Sequence, residues 1–192
     1  FAFRGGAAQD PEAKQGLAYF VSGMMDEGAG ELDSIGFQER LQTLAMRVDF
    51  DAGRDVMLGN VQMLTANMNE SFDLLRLAMS QPRFDADALE RVRAQIIAGL
   101  KFDENDPEEV ASLAWDRLAF QGHPYGRPIK GTKATIAAMT QEDLRDYVRR
   151  VFARDKLVIS VVGDIDAETL GRKLDEVFGS LPQHSALAPI AD

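Results

Sequence analysis

The sequence predicts an α+β domain in which helices cover one face of a mostly antiparallel sheet. Several segments place apolar residues three and four positions apart, which is typical of helices with one buried side. Residues 47–64 alternate with period two around Gly53-Arg54-Asp55, a pattern that predicts a β-hairpin. The run Leu157–Val162 is the most continuous β-branched segment, and it predicts a central strand.

The N-terminal part of the chain is predicted to contain a strand followed by two helices. Phe1–Arg4 looks like the inside of a strand, so we expect the first strand or strands of the sheet, and an upstream segment, to lie outside this sequence and to leave a sheet edge incompletely paired. A helix is predicted from Pro11 to the Gly28–Gly30 stretch. Asp33 is a good N-cap, and it predicts a second helix through Leu44.

The rest of the chain is predicted to be mainly helical. Thr140-Gln141-Glu142-Asp143 resembles a capping box that opens a helix to Phe152. The Gly- and Pro-rich segment 122–128 predicts a loop. The other predicted helices cover residues 71–80, 85–101, 107–120 and 167–178, and the tail 183–192 has no period.

Composition excludes several kinds of function. The 192 residues are 45% hydrophobic, which is enough for a substantial core, and they contain no Cys, which excludes disulfides and thiolate chemistry. The net charge is −10 and the Lys and Arg residues are scattered, so binding to nucleic acid or to an anionic membrane is not expected. No apolar run approaches the ~20 residues that span a bilayer.

The stretch 16–25, Gly-Leu-Ala-Tyr-Phe-Val-Ser-Gly-Met-Met, resembles the signature of the M16, or pitrilysin-type, zinc peptidases. In that signature, His-x-x-Glu-His lies within an apolar helix. The resemblance extends in order and spacing over nearly the whole chain, through segments 26–30, 47–64, 81–84, 122–132 and 157–164. It implies an M16 metallohydrolase-like fold, with an N-terminal-type domain at 1–182 and a linker at 183–192 toward a second homologous half.

The resemblance also implies that the catalytic positions are degenerate. In the family, two His residues one turn apart bind zinc, and the Glu between them activates water. The matching positions here carry Tyr19, Ser22 and Gly23. The third ligand, a Glu on a later helix, aligns with Gly99, and an acid seven residues earlier aligns with Val92.

We therefore expect no metal and no cofactor in this chain, and zinc only in a catalytic partner. The two histidines, His123 and His184, are far apart in sequence, and His123 is expected to brace its loop instead of binding a metal. Tyr19, Ser22 and Gly23 have a simpler alternative, an ordinary buried helix face. The acidic group within residues 26–33 fits no calcium loop and is expected to be a solvated helix end.

The predicted function is a non-catalytic subunit of a heterodimeric M16 peptidase that helps to bind peptides and to close the peptide chamber. In the family, an edge strand of this sheet receives an extended peptide, which makes such peptides candidate partners. The alternative is a structural scaffold with the M16 fold and no role in proteolysis. A periplasmic location is expected only by analogy with similar bacterial proteins.

Overall fold

A computed structural model describes residues 1–190 of the chain. This part contains a four-stranded sheet and eight α-helices. The strands are β1 (Ala2–Arg4), β2 (Arg47–Ala52), β3 (Val56–Gln62) and β4 (Leu157–Val158). The helices are α1 (Leu17–Ser22), α2 (Ser34–Leu44), α3 (Met68–Ser80), α4 (Ala86–Asp103), α5 (Pro107–Ala119), α6 (Lys133–Ala138), α7 (Gln141–Val151) and α8 (Ala167–Phe178).

The sheet is antiparallel throughout, with the strand order β2-β3-β1-β4, and it confirms the predicted fold class. β1 lies inside the sheet although it is only three residues long. Phe3 explains why it holds this place: its buried ring stacks on Phe152 at a centroid distance of 4.5 Å and has Phe178 edge-on. The helices cover the face of the sheet to which Phe3 belongs, while Arg4 on the other face is exposed.

The predicted hairpin is confirmed, and its register pairs Arg47 with Gln62 and Ala52 with Met57. The prediction of a central strand at Leu157–Val162 is wrong. Of that run, Leu157–Val158 pairs with β1, and it does so at the edge of the sheet. The side chain of Val162 is 99% exposed. A β-branched run indicates strand propensity but not how many neighbours a strand has, and that ambiguity produced the error.

The prediction that a helix begins at Pro11 is also wrong. The α-helix begins at Leu17, after a short 3₁₀ turn at Glu12–Lys14. The buried carboxylate of Asp10 accepts hydrogen bonds from the backbone N–H groups of Gly16 and Ala18, both at 3.0 Å. Asp10 therefore caps α1 from several residues before the N-cap position, where sequence-based capping rules look for the capping side chain.

The other capping predictions are confirmed. Asp33 Oδ1 accepts from Gly36 N at 2.8 Å at the start of α2. Thr140 and Asp143 form the reciprocal capping box of α7, and α8 has the predicted bounds. The sequence reading missed α6, which a second capping box between Thr132 and Thr135 opens.

The tail packs back on the domain through residue 190. Gln9 and Ala188 exchange two hydrogen bonds, from Ala188 N to Gln9 Oε1 at 2.8 Å and from Gln9 Nε2 to Ala188 O at 3.1 Å. Ala186 N donates to Arg150 O at 2.8 Å. The prediction that 183–192 leads to a second homologous half remains a prediction, and its last two residues lie outside the described part. None of the helices within residues 1–190 has the length and apolar character needed to cross a membrane.

Candidate functional site

The four predicted positions come together around one cavity of about 390 Å³. Tyr19, Ser22 and Gly23 reach it from α1 and the residue that follows, while Gly99 reaches it from α4. Phe50 and Asp51 of β2 complete one side. The structure therefore juxtaposes the residues that the sequence separates by more than seventy positions, as the resemblance implied.

The α1 side of the cavity has little capacity for binding chemistry. Ser22 Oγ donates to Tyr19 O at 2.8 Å, so the hydroxyl group is used within its own helix. Gly23 is exposed and has no side chain, and a Cβ at that position would lie 3.3 Å from Val92 Cγ1. Among these three lining residues, Tyr19 has the largest side chain.

α4 presents a largely apolar face to the cavity. The α4 residues that line the cavity recur at helical spacing: Val92, Gln95, Ile96, Gly99, Leu100 and Asp103. Gly99 is exposed, and apart from its chain neighbours and the nearby backbone of α4, no heavy atom of the described residues lies within 4 Å of the place where its Cβ would be. A larger side chain at 99 would therefore project into open cavity space.

Two residues that line the cavity, Lys130 and Asp103, form an ion pair. Lys130 Nζ donates to Asp103 Oδ2 at 2.8 Å, and this hydrogen bond raises the pKa of the Lys130 ammonium. Lys130 precedes Gly131, whose backbone crosses that of Gly16. The two backbones are too close to admit a side chain on either glycine, and both have positive φ angles, +75° at Gly131 and +90° at Gly16. Neither Lys130 nor Asp103 was predicted from the sequence, where no local signal joins them.

The remaining candidate groups lie elsewhere. His123 Nδ1 accepts from Tyr125 N at 3.1 Å and caps the 3₁₀ turn Pro124–Gly126, which confirms its bracing role. His184 Nδ1 lies 3.7 Å from Asp155 on the tail. Glu27 binds the Arg91 guanidinium through both oxygens, at 2.9 and 2.5 Å. Across residues 1–190, no three His, Asp or Glu side chains converge in a way that could hold a metal ion.

The sequence of the chain matches two models of known protein families. A family model described as Insulinase (Peptidase family M16) matches residues 2–133. The chain belongs to peptidase family M16. A second model, described as Peptidase M16 inactive domain, matches residues 138–191.

Individual M16 relatives agree with this assignment. The non-peptidase homolog YmxG of Helicobacter pylori is 29% identical over 185 residues, covering 96% of this chain and 43% of that protein. The β subunit of the mitochondrial-processing peptidase of Lentinula edodes is 23% identical over 177 residues, covering 92% of this chain and 38% of that protein. The crystal structure of a peptidase M16 inactive domain from Pseudomonas fluorescens has a TM-score of 0.93 and 25% identity, covering 100% of this chain and 47% of that one.

The chain spans less than half the length of each of these proteins. Two of the three matches carry names that describe M16 proteins or domains without peptidase activity. The matches are therefore consistent with an inactive M16 member.

Proposed function

We propose that this chain is a non-catalytic subunit of a heterodimeric M16 metallopeptidase. In this role it binds extended peptides and helps to close the chamber around them, while a catalytic M16 partner supplies the zinc ion. The observation that carries the proposal is the chemistry of the cavity. The four positions aligned with the metal ligands and the general base carry Tyr19, Ser22, Gly23 and Gly99, which provide no imidazole and no carboxylate.

The free edge of the sheet supports peptide binding. β2 pairs with β3 on one side, and its other side has no strand neighbour among the described residues. Phe50 and Asp51 of this edge strand also line the cavity. An extended peptide that added to β2 would gain main-chain hydrogen bonds and would pass directly over the cavity.

A second candidate function, a scaffold with no role in proteolysis, is favoured by the surface of α5. This helix has no buried residue. Trp115 is 69% exposed and Leu118 is 70% exposed, and their spacing of three residues puts both on one side of the helix. Exposed apolar clusters of this kind mark interaction surfaces, so α5 could serve an assembly role by itself.

Zinc content and peptide cleavage distinguish the two functions. They would be measured for this chain alone, for a candidate M16 partner with an intact His-x-x-Glu-His, and for the mixture. We expect zinc in the partner only, and cleavage that rises strongly on mixing. A mixture in which the partner's Glu is replaced by Gln is the control, and it should bind zinc without cleaving peptide.

Stoichiometric zinc in this chain alone would contradict the proposal. A stable complex whose cleavage rate equals that of the partner alone would favour the scaffold. The periplasmic location also stays a proposal, and fractionation of the source cells with an antibody against this chain would test it.

A further inference from the structure

We infer that the cavity between α1, α4 and β2 receives one large, uncharged apolar side chain of an extended peptide. The inference rests on the proposed function, because it assumes that the chain handles peptides. It adds a binding site and a ligand class where the catalytic metal would otherwise be expected.

The walls of the cavity match such a side chain. The cavity is lined by apolar side chains of α4, namely Val92, Ile96 and Leu100. Phe50 of β2 and Tyr19 of α1 line it as well. The volume of about 390 Å³ lies within the range of small-ligand pockets, ~300–1,000 Å³, and it accommodates a Leu or Trp side chain.

The two glycines give the cavity its depth. Gly23 and Gly99 both lie on its surface, and both are exposed. At Gly99 the helix backbone itself forms the wall, since the position where Cβ would lie has only open space around it in the described structure. Gly in mid-helix is unfavourable by ~1 kcal/mol relative to Ala, so the open space at Gly99 comes with a lower stability of α4, whereas Gly23 follows the last residue of α1.

The charges around the cavity favour a neutral occupant. Lys130 Nζ lies 2.8 Å from Asp103 Oδ2 and 3.7 Å from Glu109 Oε1, so its positive charge is already compensated. Asp51 lies on the exposed edge strand, where its Oδ1 accepts from Ala52 N at 2.9 Å. A charged side chain that entered the pocket would lose water without gaining an unpaired partner on the α4 wall.

The edge strand explains how the side chain would be presented. A peptide paired antiparallel or parallel with β2 turns alternate side chains toward the helical layer, the face on which Phe50 lies. One of these alternate positions would stand over the cavity. Backbone pairing would give general affinity, and the pocket would give selectivity for that one position.

The test uses fluorescent host peptides that differ at one central residue, which is Trp, Leu, Ala, Lys or Glu, and measures binding to this chain by anisotropy. We expect the Trp and Leu peptides to bind about tenfold tighter than the other three, a factor typical of filling an apolar pocket. The variant Gly99→Trp should reduce their affinity to that of the Ala peptide and leave the Ala peptide unchanged.

Gly171→Trp is the matched control, because Gly171 is also a helical glycine with open space around it, in α8 and away from the cavity. Val92→Ala is the second variant, and it should favour the Trp peptide over the Leu peptide by enlarging the pocket. Thermal unfolding of each variant checks that it is folded.

The possible results distinguish the peptide-binding function from the apolar pocket. If no peptide binds, the peptide-handling function fails together with the pocket. If peptides bind but prefer Lys or Glu, or if Gly99→Trp and Gly171→Trp behave alike, the pocket is overturned while the subunit function stands. If Gly99→Trp does not fold, the Val92→Ala preference decides the matter alone.

Discussion

Asp10 is the residue whose environment is most at odds with its chemistry. Its carboxyl group is buried beside the α1 N-terminus, and burial raises its pKa to about 7, although hydrogen bonds from the backbone of Ala18, Gly16 and Leu17 act to lower it. The Arg150 guanidinium also lowers this pKa, and the buried phenol of Tyr147 is close enough for the Asp10 charge to raise the Tyr147 pKa further. The folded state therefore keeps a proton that the unfolded chain releases near pH 3.8.

The substitution Asp10→Asn tests this pKa. Between about pH 4 and pH 7 the folded wild-type chain binds the extra proton, so this group makes the free energy of unfolding fall as the pH rises. The wild-type value minus the variant value should decline across that window. Chemical denaturation at several pH values measures it, and a flat difference would contradict the shift.

Asp166→Asn is a control with the opposite sign. Asp166 caps α8 through Thr169 N at 2.9 Å, and that hydrogen bond lowers the pKa of the exposed carboxyl group. Its contribution to stability is present above the unfolded-state pKa and is lost as the pH falls. Here the wild-type value minus the variant value should increase as the pH rises through the acidic range.

Restoring the missing side chains tests the alignment of the cavity. The variant combines Tyr19→His, Ser22→Glu, Gly23→His and Gly99→Glu with Val92→Ala, which relieves the 3.3 Å approach to position 23. Because these positions line one cavity, the variant should retain about one zinc ion per chain after desalting, as a three-ligand site does. Mass spectrometry of the metal measures this, and the same variant with Gly99 retained should bind zinc more weakly.

At the scale of elements, α5 is held to the domain by polar contacts at its C-terminal half. The Arg54 guanidinium donates to Tyr125 O and to Asp116 Oδ2, the latter at 2.5 Å. Tyr125 Oη donates to Asp55 at 2.6 Å. The hairpin turn thus carries the link between the sheet, the His123 loop and α5, a helix that buries none of its own side chains.

The variant Arg54→Ala should loosen α5 selectively. Hydrogen bonds to charged groups contribute about 1.5–3 kcal/mol, so amide exchange across 107–119 should speed up by one to two orders of magnitude while exchange in α7 stays unchanged. Hydrogen exchange with mass spectrometry measures both. Arg76→Ala, which removes the exposed pair with Asp73 on α3, is the matched control and should leave α5 unaffected.

The sequence predicted elements well where local chemistry determines them. Asp33, Thr140 and the hairpin turn sit next to the elements that they define, and their predictions were confirmed. The errors came where distant groups decide. Asp10 caps the start of α1 through hydrogen bonds to residues six and eight positions later. The buried ring of Phe3 holds a three-residue strand in the interior of the sheet, whereas Val162 is exposed and belongs to no strand.

The candidate site was predictable in part for the same reason. A resemblance in order and spacing identified Tyr19, Ser22, Gly23 and Gly99, and the structure brings them together. Lys130 reaches the cavity through a crossing of two backbones, which no local pattern encodes.

At the scale of the whole molecule, the segments matched by the two family models share one core. α7 packs on α1 and α8 packs on α3, so residues after 138 bury their apolar faces against residues before 133. Tyr147 also donates to Gly5 O at 3.1 Å across this division. The two matched segments therefore pack on each other in the described part of the chain, and we expect them to unfold together.

A chain cut where the second family model begins, just before Ala138 at the end of α6, tests this unity. The isolated piece 138–192 would expose the faces that α1 and α3 cover, so it should show no cooperative unfolding by circular dichroism. Mixing it with the piece 1–137 should restore a cooperative transition. Cooperative unfolding of the piece 138–192 alone would show that it has a core of its own.

The crossing of Gly16 and Gly131 sets a limit on how this chain can be altered. A methyl group on Gly131 would stand 2.2 Å from Gln15 O, and one on Gly16 would stand 2.7 Å from Lys130 O. Protein engineers who wish to give the neighbouring cavity a new ligand would have to keep Gly at both of these positions, since any heavier substituent would push residues 130–131 away from the segment that leads into α1.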